Sequence, residues 1–527
     1  VSTLMTSSPR RAAAALLVAV AALAGCQGSG SVTPTPAQAQ SPAAVPAGLE
    51  SFYGQEVEWF PCEAEGAMNE AASDTGFTCA RVKVPLDYEA PDGETIEIAM
   101  KKRAADGQSI GTLFINPGGP GGSGVGMVGE IDNLLSEDLL GSYDVVGFDP
   151  RGVGSSTAVD CLSDAELDAE RAGEVGDDGV TSAAEAEAEG KESAAQCGAK
   201  TTTPGLLDHI DTVSAARDLD VLRAVDDQDS LTYLGYSYGT YLGATYAELF
   251  PGNVGRMVLD AALDPSLSAS EVTLGQAKGF ERALRTYVED CQAGSACPLS
   301  GDVDSGVQQI RSLLEMTRNA PLTTSDSSRP LTHDLASDAV LGALYNSANW
   351  GTLTAALDQA MTQNDGSLLL RIADHFAERD SDGSYASNGD EAIGAINCLD
   401  YPVQGDEAQW DAQAAELTKV GPTFGAQLAY ADAHCKGWGH ESTRERKPIT
   451  ASGAAPILVV GTTGDPATPY EWSQSLAEQL ESGQLVTWKG EGHAAYGRAG
   501  DCLTAAVDGY LLAGTMPEEG LTCEGKK

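Results

Sequence analysis

A chain of 527 residues is too long for one simple core and long enough for a large catalytic domain with an inserted subdomain. Its 77 acidic residues against 31 basic ones leave a formal charge of −46, a field that repels phosphate backbones and excludes nucleic acid as a partner. The acidity is spread out, as across residues 164–192, and reads as a hydrated surface that keeps the molecule monomeric.

Arg10 and Arg11 precede an apolar run, Ala12 to Ala24, which is too short to span a membrane as a mature helix and has the form of an export signal. The run ends in Leu23-Ala24-Gly25-Cys26, which resembles a bacterial lipobox. Residues 1–25 are then a signal peptide and Cys26 the lipidated first mature residue; an ordinary signal peptide cleaved near Ala24 is the alternative. Residues 26–48, rich in Gly, Ser, Pro and Ala, form a flexible tether. No other stretch is apolar enough to cross a membrane, so membrane contact is expected through the lipid anchor alone. The protein is expected outside the cytoplasm, anchored to the outer face of the cell membrane or secreted.

Setting Cys26 aside, the eleven cysteines leave five sequence-local pairs: Cys62 and Cys79, Cys161 and Cys197, Cys291 and Cys297, Cys398 and Cys435, Cys502 and Cys523. Neighbour pairing is expected, although sequence does not fix connectivity. No CxxC pair occurs, so a zinc site is not expected, and an oxidising compartment fits better.

From 49 to 264, strand-like and helix-like segments alternate. Val82 to Leu86 and Glu94 to Met100 form an opening strand pair, followed by strands at 112–115, 144–148, 231–234 and 256–260. Helices are expected over 215–225, with Leu219, Leu222 and Val225 on one face, and over 240–250. From 265 to 447 helical patterns dominate, at 271–292, 307–317, 336–363 and 409–434. From 448 to 527 the alternation returns, with strands at 456–460 and 484–488 and helices at 470–480 and 503–512. The βαβ rhythm predicts an α/β fold, a mostly parallel sheet flanked by helices. Because that rhythm resumes after the helical block, the block is a cap inserted into one fold rather than a second independent domain.

Gly235-Tyr236-Ser237-Tyr238-Gly239 lies between a predicted strand and a predicted helix, the context of a nucleophile elbow. A serine hydroxyl needs a base within hydrogen-bond reach and a third group to fix the tautomer of that base. Of six histidines, His493 follows a strand in Gly490-Glu491-Gly492-His493 and can reach back over the sheet; His209, His333, His375, His434 and His440 read as surface or packed side chains. Asp465, in Gly464-Asp465-Pro466, follows a strong strand and precedes a helix, which by itself suits a helix N-cap. The order Ser237, Asp465, His493 makes it the acid instead. Thr468, one turn on, is placed to hydrogen-bond near that acid. Oxyanion donors are expected from the N–H of Tyr238 and from the glycine loop 116–124, with Gly119 first and Gly118 beside it. That loop lacks the Lys-Ser/Thr ending of a nucleotide-binding loop.

Taken together, Asn-Pro-Gly-Gly-Pro-Gly-Gly-Ser-Gly at 116–124, Asp-Pro-Arg-Gly-Val-Gly-Ser-Ser at 149–156, the Ser237 motif, Gly-Asp-Pro-Ala-Thr-Pro at 464–469 and Gly492-His493 resemble the exported tripeptidyl aminopeptidases of actinobacteria. These are serine peptidases of the prolyl-aminopeptidase type. The resemblance runs over residues 50–525. It implies an α/β-hydrolase fold with a helical cap, no cofactor, and removal of di- or tripeptides from free N-termini of peptides or proteins. It assigns Ser237 as nucleophile, Asp465 as acid and His493 as base. One departure is Pro117, where prolyl aminopeptidases carry a histidine before the double glycine. An exopeptidase must also hold a protonated α-amine, whose pKa is near ~8. Asp400, in a segment resembling one in this family, is the expected partner, with Gly118 as a further substrate contact. The alternatives are an esterase or lipase-like hydrolase, or an envelope endoprotease, using the same triad. A non-catalytic binding lipoprotein is a further one.

Overall fold

Among the described residues, ten strands form one sheet in the order β1-β2-β3-β5-β4-β6-β7-β8-β9-β10. They are β1 (Phe60–Pro61), β2 (Thr78–Pro85), β3 (Thr95–Arg103), β4 (Thr112–Asn116) and β5 (Asp144–Phe148). The series continues with β6 (Leu231–Tyr236), β7 (Val254–Asp260), β8 (Ile457–Gly464), β9 (Gly483–Glu491) and β10 (Thr522–Glu524). The molecule is a computed structural model that describes residues 44–63, 68, 76–176, 179–442 and 444–525. The expected signal peptide, Cys26 and most of the tether lie outside the described residues. Pairing is antiparallel from β1 through β3 to β5 and parallel from β5 across to β10. This is the α/β-hydrolase arrangement that the sequence implied.

The central parallel strands β4 to β8 are buried on both sides, so alternate residues serve two cores. Phe114, Val146, Tyr233, Met257, Leu259, Ile457 and Val459 face one cluster, with Leu219, Leu242 and Leu476 of helices Thr212–Val225, Tyr238–Leu249 and Tyr470–Gln479. Leu113, Ile115, Val145, Leu234, Val258, Leu458 and Val460 face the other, with Leu503, Val507 and Leu511 of helix Asp501–Ala513. Each fully buried aliphatic side chain contributes about 2 kcal/mol, which sets the register of these strands firmly.

Between β7 and β8 the described residues form eight α-helices: Ala269–Ala293, Val303–Asn319, His333–Leu344, Trp350–Gln363, Ser367–Phe376, Gly389–Asp400, Glu407–Val420 and Ala431–Trp438. They carry their own core around Phe280, Leu284, Tyr287, Leu313, Leu353 and Leu369. Two expected helices are broken. The run 336–363 turns at Tyr345, where Asn346 accepts the Ala348 N–H and Tyr345 O accepts the His493 N–H. The run 409–434 stops at Gly421-Pro422, because proline disfavours helix at the residue before it.

Helices Asp164–Ala172 and Ala183–Lys200 lie between β5 and β6 in sequence, inside the 49–264 segment that the sequence reading gives to the α/β core. They stand against the inserted helices instead. Ala183 and Ala186 pack with Trp410, Tyr430 and Ala433, and Asp168 takes both Nε and Nη2 of Arg379 at 2.6 and 2.7 Å. Their small residues allow the close approach, and a helical pattern alone does not reveal which layer it covers.

All five neighbour disulfides are present: Cys62–Cys79, Cys161–Cys197, Cys291–Cys297, Cys398–Cys435 and Cys502–Cys523. Among the described residues, no helix is long and apolar enough to cross a membrane.

Candidate active site

Ser237 sits between β6 and helix Tyr238–Leu249 with φ 54° and ψ −125°, a conformation that a non-glycine residue holds only under constraint. The constraint is visible. Ser237 N–H donates to Asp260 O at 3.0 Å, and Ser237 O accepts from Thr240 N at 2.8 Å and Thr240 Oγ1 at 2.6 Å. Gly239 must lack a side chain, because a Cβ there would stand 2.7 Å from Asn116 Oδ1 and 2.8 Å from Asn116 O. The Tyr238 N–H heads the helix, where the first amides have no intrahelical acceptor.

The glycine loop comes off β4 beside this turn. Gly119 and Ser237 line the same cavity, of about 210 Å³, and the Gly119 N–H has no acceptor among the described residues. Two free amides, Tyr238 and Gly119, are thus available to a developing oxyanion. Gly118 is placed differently from the expectation. Its N–H is used by Asn116 Oδ1 at 3.0 Å and its carbonyl accepts from Gly122 N at 3.0 Å. A Cβ on Gly118 would meet Tyr236 O at 2.5 Å and Ser237 Cβ at 2.9 Å, and its φ is +99°. Gly118 is therefore a packing contact of the serine turn, not a substrate contact.

His493 Nδ1 lies 2.9 and 3.0 Å from the two carboxylate oxygens of Asp465, and 3.3 Å from Thr468 Oγ1. Asp465 is fully buried and also accepts from the amides of Ala467 at 3.0 Å and Thr468 at 2.9 Å. The sequence expectation of an acid with Thr468 nearby describes this cluster. Among the described residues, no hydrogen bond joins Ser237 Oγ to the imidazole. Such contacts tighten when substrate is bound. Ser237, Thr468 and Tyr345 line one cavity, and the latter two both touch His493.

Three contacts escaped the sequence reading. The Tyr345 ring meets the His493 ring edge-on, with centroids 5.4 Å apart, while its carbonyl accepts the His493 N–H at 2.6 Å. Asp260 ends β7, and its carboxylate accepts from Ala495 N at 3.0 Å and Tyr496 N at 2.7 Å. Burial pushes its carboxyl up to about 6. Asp432 is the third, a carboxylate on the cavity wall. Neither Tyr345 nor Asp432 carries a local motif.

Asp400, expected to hold the substrate amine, is committed elsewhere. It is 2% exposed, does not line the cavity, and accepts from Thr212 N at 2.9 Å and Thr212 Oγ1 at 2.5 Å. Burial raises its carboxyl to about 6. It sits at the end of helix Gly389–Asp400, where both of its oxygens accept from Thr212, so it fastens that helix to the sheet layer.

The 149–156 motif is structural. Asp149 accepts from Ser123 Oγ at 2.7 Å, Val125 N at 3.0 Å and Ser155 N at 2.8 Å, tying the end of the glycine loop to this turn. Arg151, wholly buried, makes paired 2.7 Å bonds to Asp218 and reaches Leu86 O, Pro85 O and His209 O.

A family described as TAP-like protein matches residues 421–523, which include Asp432, Asp465 and His493. The chain is 38% identical over 489 residues to the serine protease Hip1 of Mycobacterium tuberculosis, covering 90% of this chain and 92% of that protein. It is 36% identical over 472 residues to carboxylesterase B of the same species, covering 88% and 90%. To the tripeptidyl aminopeptidase of Streptomyces lividans it is 30% identical over 477 residues, covering 89% and 86%. With likeness of this extent, an α/β-hydrolase sheet and a serine elbow, the chain belongs to the tripeptidyl-aminopeptidase-like serine peptidase family.

Proposed function

We propose that this protein is an exported serine peptidase that releases di- or tripeptides from the free N-termini of peptides or proteins. The observation that carries the reading is Ser237 at a constrained turn, sharing one roofed cavity with the free Gly119 amide and with the neighbours of an Asp465-bound histidine. Ser237 attacks the scissile carbonyl while His493 takes its proton. Asp465 fixes the imidazole tautomer and stabilises the imidazolium. The Tyr238 and Gly119 amides hold the oxyanion. His493 then protonates the leaving amine, and water repeats the sequence on the acyl-enzyme.

The exopeptidase mode is supported by the roof. Helix Gly389–Asp400 lies over the glycine loop, with Gly389 O 2.8 Å from where a Cβ on Gly121 would stand, and Ile393 and Asn397 reach the cavity wall. A small covered cavity favours the end of a chain over its middle. The test is the mass of the product released from unblocked peptides of increasing length. Release of a constant short peptide is the expected result, and internal cleavage at varied positions overturns it.

A second reading is favoured by the carboxylesterase relative: the same triad acting on acyl esters. Turnover of short acyl esters with no turnover of any peptide amide would establish it in place of the first. Export is supported by the five disulfides, which persist in oxidising compartments. Lipidation at Cys26 belongs to the same proposal. Mass spectrometry of the mature N-terminus checks it, with an unmodified N-terminus beyond Cys26 as the contrary outcome.

A further inference from the structure

The cavity at Ser237 is lined by uncharged side chains with one exception among the described residues, Asp432. Asp432 lies in the first turn of helix Ala431–Trp438 and is 5% exposed. One of its oxygens accepts from Gln404 N at 2.8 Å and the other from Ser270 Oγ at 3.3 Å. No cation pairs with it among the described residues. A carboxylate removed from water without a counter-charge is costly, and a cation that enters the cavity relieves that cost. Burial raises its carboxyl above the usual range.

We propose that Asp432 is the seat of the substrate's α-ammonium group, and so the residue that makes this site select free N-termini. The inference rests on the peptidase reading of the same cavity. An ammonium supplies the absent charge and three donors. Gln276, on the same wall, donates through Nε2 to Ala467 O at 3.2 Å, which leaves its Oε1 to accept one of them.

The placement of Asp432 also bears on how much is removed. A second, larger cavity of about 880 Å³ adjoins the first, and the two share Thr273, Asn397, Ala431 and Cys435. Asp432 lines the smaller cavity and follows Ala431, which lines both. An amine held there keeps the peptide out of the larger space and fixes the number of residues between it and Ser237. The wall is pinned in place: Cys435, one turn beyond Asp432, is bonded to Cys398 of helix Gly389–Asp400.

The test compares matched tripeptidyl amides, N-free and N-acetylated, with rates expressed per site titrated by a fluorophosphonate so that unfolded protein is not counted. Wild type prefers the N-free substrate. Asp432→Asn loses about 100-fold of that preference, mostly through KM, as expected when one partner of a buried charge pair is truncated. Asp432→Glu, which keeps the charge, retains the preference, and so does Asp400→Asn. An unchanged preference in Asp432→Asn overturns the inference while leaving the peptidase reading intact. If wild type itself shows no preference for a free amine, the exopeptidase reading fails first and this one with it.

Discussion

The sheet and the helical insertion divide the work of the site in different physical terms. The sheet places Ser237, Asp465 and His493 on short loops at the carboxyl ends of β6, β8 and β9, of which β6 and β8 are locked by burial on both faces. The insertion holds a separate core and contributes Tyr345, Asn397 and Asp432 from segments far apart in sequence. The chemistry therefore depends on strand ends that few sequences can build otherwise. Selection depends on how helices happen to lie over them. This is the general behaviour of ligand sites at the carboxyl edge of open α/β sheets.

The sharpest way to break this division is to remove the hydroxyl. Ser237→Ala lowers kcat on peptide amides and acyl esters alike by about 10⁴-fold or more, measured by steady-state kinetics. Residual turnover near wild type would remove Ser237 from the chemistry.

A change in the sheet layer away from the cavity costs stability instead. Arg151→Met strands Asp218, its wholly buried partner, and is expected to cost about 3–5 kcal/mol in urea unfolding. A loss below about 1 kcal/mol would show that Arg151 does not hold the sheet layer.

The junction between the layers is read by Asp400, whose carboxyl is pushed up to about 6 in the fold. A raised carboxyl contributes its stability below the unfolded value and loses it as pH rises through the folded one. Asp400→Asn should therefore compare more favourably with wild type at pH 7 than at pH 4, by on the order of 3 kcal/mol. A pH-independent difference between the two melting curves would contradict the assignment.

The smallest effect concerns the one ring that the insertion lays on the triad. Tyr345→Ala removes an edge-on contact with the imidazole and should lower kcat by up to about 10-fold. A fall as large as that of Ser237→Ala would erase the distinction between the two regions.

Much of the sheet was legible because strand and turn signals are local. The strands at 112–115, 144–148, 231–234, 256–260 and 456–460 lie within a few residues of those observed, since each is a short apolar run between turn residues. Ser237, Asp465 and His493 announce themselves by their position after such runs. The insertion was harder to read. Periodicity identifies a helix but not its neighbours: the sequence reading notes only acidity across 164–192, where two helices pack on the insertion, and it runs one helix over 336–363, which the structure breaks at Tyr345. Asp400 and Asp432 illustrate the same limit: both are aspartates beside a disulfide cysteine, and only packing separates the one spent on Thr212 from the one left on the cavity wall.

Asp260 links two parts of the machinery that chain order keeps apart. Its carbonyl receives the Ser237 amide, and its carboxylate receives the amides of Ala495 and Tyr496, immediately beyond His493. The serine turn and the histidine loop therefore hang on one buried residue of the frame, and a change at position 260 would disturb both at once.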